Sequence, residues 1–176
     1  MANEHLQKIT RQMCFQTLHG MLKQSSDNTK EHLSQFFERK PLSEAMISIS
    51  ALYLSTCDMA LKNFCAENDL TDTYESSINQ ILTGSYNNKT IQSIKSCLDR
   101  NSSTNITEMG DKVTEGQIRR HVKPYAESVN NKLGVDKKDV KEALFNMLVN
   151  TMTQILKNSA SFVILVRNPV MAGASK

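Results

Sequence analysis

Leu6, Ile9, Met13, Leu18 and Leu22 recur three to five residues apart, a spacing that lines them along one side of an α-helix. The pattern predicts a first helix near residues 3–24, broken by the polar run Gln24-Ser25-Ser26-Asp27-Asn28. A short second helix carries Leu33, Phe36 and Phe37 and should stop before Pro41, because the residue preceding a proline disfavours helical geometry. Ser43 reads as the N-cap of the next helix, with Leu42 and Ile47 as the apolar pair stapling its first turn. From there to about residue 68, apolar residues such as Ile49, Leu52, Tyr53, Cys57, Leu61 and Phe64 spread around much of the circumference. A helix apolar on several faces belongs in the middle of a bundle.

Asp72 and Glu75 resemble a capping pair for a shorter helix, whose stripe is Tyr74, Ile78, Ile81 and Leu82 and whose end is Gly84. Asn87 or Asn88 caps the next, with Ile91, Ile94 and Leu98 on one face. Residues 99–112 are the least periodic tract and are expected to form an exposed loop or linker. The clearest helix starts follow it. In Val113-Thr114-Glu115-Gly116-Gln117-Ile118 and again in Val135-Asp136-Lys137-Lys138-Asp139-Val140, a polar cap stands between an apolar residue outside the helix and another in its first turn.

Ile118, Val122, Tyr125, Val129 and Leu133 continue the first of these helices up to Gly134, a C-terminal cap. Pro124 makes it either one kinked helix or a turn feeding a helix that starts at the proline. Asp136 should open the last helix, with Leu144, Leu148, Met152 and Ile155 in its stripe. The run Phe162-Val163-Ile164-Leu165-Val166 fits the buried end of that helix better than a short extended segment. Alternating runs joined by hairpin turns are missing elsewhere, as are internal repeats. The expected fold is all-α: one helical domain over residues 1–176, a compact bundle of six or seven helices with a C-terminal helix hairpin.

Composition narrows this reading little. With 176 residues and 39% hydrophobic content, the chain has material for a real core. It contains no apolar run of membrane-spanning length, and its polar start lacks a secretory signal, which favours the cytoplasm or export without such a signal. Cys14, Cys57, Cys65 and Cys97 are widely spaced and read as buried, reduced thiols. The three glycosylation sequons at Asn88, Asn101 and Asn105 read as accidents of an Asn- and Ser-rich sequence. The net charge of +3 is uneven: residues 1–110 carry 10 basic against 12 acidic side chains, and residues 111–176 carry 11 against 6. An anionic partner should therefore prefer the C-terminal part.

Candidate chemistry is sparse. None of His5, His19, His32 and His121 has the Glu-x-x-His or His-x-x-x-His spacing of a metal site in a bundle, so no metal or cofactor is expected. His19 and His32 are the nearest candidates for a lone haem ligand, although surface positions suit them better. There is no Gly-x-Ser-x-Gly elbow and no glycine-rich phosphate loop, and the acidic pair Asp136/Asp139 fits helix capping, so an enzyme ranks last.

The basic segment 119–141 offers Arg119, Arg120, Lys123, Lys137 and Lys138 to an anionic partner, nucleic acid included, though a solvated helix face explains the same charges. The nine methionines, mostly core filler, leave room for an adaptable groove. Phe162, Ile164, Leu165 and Met171 form an apolar tail suited to docking. The leading expectation is a non-enzymatic protein–protein interaction module, such as an adaptor, chaperone-like subunit or inhibitor, acting on another protein or a second copy of itself. A nucleic-acid-binding domain using residues 119–141 and a helical pocket for a small apolar ligand are the alternatives.

Overall fold

The computed structural model describes the backbone of residues 2–67, 79–80, 82–104, 106 and 113–167, and the side chains at 16, 19–55, 79–80, 82–104, 106 and 113–158. Its helices are α1 (Ala2–Leu33), α2 (Arg39–Glu67), α3 (Asn88–Arg100), α4 (Glu115–Leu133) and α5 (Lys138–Arg167). A 3₁₀ turn, η1, spans Ser102–Thr104, and residues 79–80 and 82–85 are also helical. No strand occurs among the described residues, and the all-α bundle is as expected.

The bundle is organised around α2, which packs against each of the other four helices. Every residue from Ser48 to Ser55 is buried, so no side of that stretch faces water. Its seam with α4 is polar as well as apolar. The Lys132 ammonium donates to the Glu44 carbonyl at 3.2 Å, the hydroxyls of Ser48 and Ser128 meet at 2.9 Å, and Ser55 Oγ lies 2.8 Å from His121 Nε2. Each step forward on α2 is matched by an equal step back on α4, so the helices run antiparallel in one register. Ile49, Leu52, Val122, Tyr125 and Val129 are buried alongside these contacts.

The predicted break at Gln24–Asn28 is not there, and α1 runs through it. Ser26 and Thr29 turn inward and are buried, while Lys23 and Asp27 pair at 2.6 Å on the exposed side. The Thr29 hydroxyl donates to the Ser25 carbonyl at 2.8 Å, which leaves Tyr53 Oη, also at 2.8 Å, to donate to Thr29. Burial pushes the Tyr53 phenol above its ordinary range, so it stays a neutral donor.

The separate second helix is likewise absent: Phe36 and Phe37 sit in a turn whose amides both reach the Leu33 carbonyl. Pro41 opens α2 instead of ending a helix, since in the first turn its missing N–H leaves no bond unmade. Ser43 is consequently inside α2, its hydroxyl donating to the Arg39 carbonyl at 2.8 Å, and does not cap it. Gly84 also lies within a helical stretch rather than ending it.

Local capping signals fare better. Asn87 Oδ1 accepts from the Thr90 amide at 2.9 Å and caps α3, whose Ile94 and Cys97 are buried, the thiol free. Asp99 and Arg100 complete α3, and Ile106 is buried. Thr114 and Gln117 form a reciprocal capping box on α4. That helix is continuous through Pro124. It ends at Gly134, with φ 67° and ψ 33°, where the amides of Gly134 and Val135 bond Asn131 and Asn130 carbonyls. This turn sends α5 back along α4, Arg119 meeting Asn146 across the pair.

α5 begins at Lys138, two residues after the expected Asp136, and stays helical past Phe162–Val166 to Arg167. The proposed capping pair at Asp72 and Glu75 and the thiols of Cys14, Cys57 and Cys65 lie outside the described residues.

Nothing lies within 4 Å of a Cβ built on Gly134, so Gly134→Ala isolates the backbone cost of the left-handed conformation. That cost is roughly 1–2 kcal/mol, partly offset by about 0.4–1 kcal/mol from a stiffer unfolded chain. Urea unfolding should show a net loss of about 1 kcal/mol; an unchanged midpoint would mean the turn has relaxed.

Candidate functional site

The five basic residues expected to meet an anionic partner are all exposed, three on α4 and two at the start of α5 and just before it. Arg119 makes surface contacts within the chain: its guanidinium lies 5.0 Å from the Phe145 ring centroid and donates at 3.3 Å to both Glu115 Oε1 and Asn146 Oδ1. Arg120 and Lys123 are exposed on the outer side of α4 with Glu127. Lys137 and Lys138 stand beyond Gly134, separated from Lys123 by about 15 Å of helix to Leu133 alone. The side chains of Phe162, Ile164 and Leu165, and the whole of Met171, lie outside the described residues. Among the described residues no helix is long and apolar enough to cross a membrane.

A surface that the periodicity did not single out is better formed. The α1–α2 turn and the first turns of α5 enclose an open groove of about 580 Å³. Leu33, Phe36 and Phe37 supply one wall, Val140, Ala143, Leu144 and Met147 the other, and His32 and Asp139 are the polar groups that line it. The volume falls in the range of ligand and peptide clefts. Phe37 is half-buried against the core, which fixes the turn, whereas Phe36 remains 67% exposed. Its ring stands edge-on to His32 with centroids 5.6 Å apart. On α5 the wall repeats at Val140, Ala143, Leu144 and Met147, the i, i+3, i+4, i+7 pattern of a helical ridge. Phe36 was legible only as an apolar residue; its outward direction follows from the turn geometry after Leu33.

Of the methionines weighed for a groove, Met147 lines this one, Met46 lines another beside α3, and Met152 is fully buried. His19 Nε2 lies 3.2 Å from Ser85 Oγ, and His32 is exposed.

His121 is the histidine in an unusual setting. It is fully buried, its Nδ1 is 2.9 Å from the Thr104 carbonyl, and its Nε2 is 2.8 Å from Ser55 Oγ. The spacing is that of a nucleophile and its base, but Ser55 is 1% and His121 0% exposed, so the pair lies inside the core and not at a surface cleft. The Thr104 carbonyl only accepts, which places the ring proton on Nδ1 and makes Nε2 of the neutral ring an acceptor. The Ser55 hydroxyl then has one proton for two acceptors, Nε2 and the Leu52 carbonyl at 2.7 Å. A second ring proton would complete the chain of bonds, but burial disfavours the imidazolium and holds His121 below the usual histidine range, the bond to Thr104 opposing this more weakly.

The folded-state value thus lies below the unfolded one of 6.5. The contribution of the buried neutral ring to stability is therefore complete above pH 6.5 and is lost as the pH falls, because the unfolded ring takes up a proton that the folded one refuses. Urea midpoints should drop from pH 7.5 to pH 5.5, and His121→Gln, although less stable at neutral pH, should drop less. Parallel pH profiles for the two proteins would remove His121 as the cause. Set against known proteins, the chain stands apart: no protein-family model matches it, and no significant match is found among curated proteins or solved structures.

Proposed function

We propose that this chain is a non-enzymatic protein–protein interaction module whose docking surface is the apolar groove between the α1–α2 turn and α5. The observation that carries the reading is Phe36, a large aromatic side chain left 67% exposed at the wall of a groove made mostly of aliphatic carbon, phenyl and thioether, with His32 and Asp139 as its polar groups. Covering such a ring stabilises a complex by about 25 cal/mol for each Å² of apolar surface removed from water, and aromatic anchors beside pockets are where binding energy concentrates.

The partner that fits is an amphipathic helix. Both walls are built from helical or turn segments and not from a sheet edge, so an extended strand would find no ladder to join. The ridge from Val140 to Met147 instead offers two helical turns for interdigitation. His32 and Asp139 supply polar groups that set the register of the incoming helix. Met147 lets the groove adjust to differently shaped apolar side chains.

Selection of a displayed library of random helical peptides against the protein tests this whatever the natural partner is. Enriched peptides should carry aromatic or aliphatic residues at i, i+3 or i+4, and i+7, and Phe36→Asp should weaken them at least about tenfold, the scale of a lost anchor. A library that yields no such peptides, or peptides indifferent to Phe36→Asp, would refute the reading. Native mass spectrometry of the same two proteins identifies self-association: a dimer that Phe36→Asp dissolves makes the partner a second copy of this chain.

A further inference from the structure

A second groove, sharing no lining residue with the first, runs between α2 and α3. Two clefts of about 370 and 700 Å³ adjoin there, with Ile47, Lys89 and Ser93 lining both. Lys30 lines one cleft, Arg100 and Lys132 line the other, and Lys89 stands where the two meet. None of these four cations is ion-paired among the described residues. Among the described residues, Lys132 and Arg100 bond only the backbone carbonyls of Glu44 and Ser96, at 3.2 and 3.3 Å, which position the charges without neutralising them.

We infer that this groove binds an acidic peptide segment with carboxylates towards both ends and an apolar residue between them. The spacing follows from α3: Lys89 and Arg100 are about 16 Å apart along the helix, a distance that about five residues of extended chain span. The half-buried Ile47, which lines both clefts, provides the apolar contact in between.

Single-stranded nucleic acid fits less well, since Tyr86, the aromatic side chain in the lining, donates its hydroxyl to Ser50 and is held against α2 rather than presented for stacking. Glu44 and Asp99 also lie in the lining, where they repel a uniform run of phosphates more than carboxylates placed opposite the cations. Two grooves of different chemistry on one small bundle give it the means to hold two partners at once.

Fluorescence anisotropy with a labelled peptide bearing glutamates on both sides of a central leucine tests the inference, alongside the same peptide with glutamine for glutamate and a single-stranded RNA of equal charge. The acidic peptide should bind, the glutamine version should bind at least about tenfold more weakly, and added salt should weaken the acidic complex. Lys89→Glu combined with Arg100→Glu should cost at least about tenfold in affinity, with helicity by circular dichroism unchanged because both side chains are exposed.

Phe36→Asp should leave this affinity alone, which keeps the two grooves separable. Absence of binding at about millimolar protein, equal binding of the glutamine peptide, or indifference to the charge reversals would each overturn the inference. Tighter binding of the RNA would overturn it in favour of a nucleic-acid groove.

Discussion

The antiparallel seam between α2 and α4 is the constraint on which the rest of the bundle depends. Apolar packing alone tolerates sliding, because one leucine or valine meets another about equally well a turn away. The hydroxyls of Ser48 and Ser55 and the ring of His121 do not tolerate it. Shifting α4 by one turn would separate Ser48 from Ser128 and Ser55 from His121, at about 1–3 kcal/mol for each buried polar group left unpaired. The register is therefore set by polar contacts embedded in an apolar interface. Small side chains at Ala45, Ser48, Ala51 and Ser55 are part of the same solution, since they add little bulk between α2 and its neighbours. With α2 held this way, α1, α3 and α5 close the bundle around it.

How much of this was legible in the sequence depended on how far the deciding partner lay along the chain. Thr114, Gly134 and Asn87 were readable because a cap is settled by a side chain and a backbone group within a turn of each other. The central position of α2 was readable from its apolar residues on several faces. The run Gln24–Asn28 was not, because the helix there is supported by Tyr53, which approaches Thr29 from a different helix 24 residues away. Pro41 and Ser43 failed for a different reason: proline is compatible with the position before a helix and with its first turn, and serine caps helices yet also bonds back to the carbonyl four residues earlier. Neither residue carries the information that chooses between its two uses.

The candidate surfaces were harder to read still. A count of charges in residues 119–141 treats Arg119 like Lys123, but Arg119 stands over Phe145 and next to Glu115 while Lys123 points outward. Conversely, Lys30, Lys89, Arg100 and Lys132 are scattered over about a hundred residues, and only the packing of α3 on α2 gathers them along one groove. Phe36 looked like part of a stripe because its neighbours Leu33 and Phe37 are. A turn that begins at Leu33 rotates it away from them.

Buried hydroxyls also explain why stability and specificity part company in this bundle. Ser48, Ser50, Ser55 and Thr29 are all buried and all hydrogen-bonded, and each such bond contributes only about 1 kcal/mol net, since water would satisfy the same groups in the unfolded chain. Apolar residues of similar size at both ends of a contact would hold the helices about as strongly while allowing more than one register. What the polar seam adds is a single arrangement of α2 and α4, and with it a fixed position for Glu44 and Lys132 on one side of α2. The same seam shapes the α2–α3 groove, because Glu44, Ser48 and Lys132 belong to both.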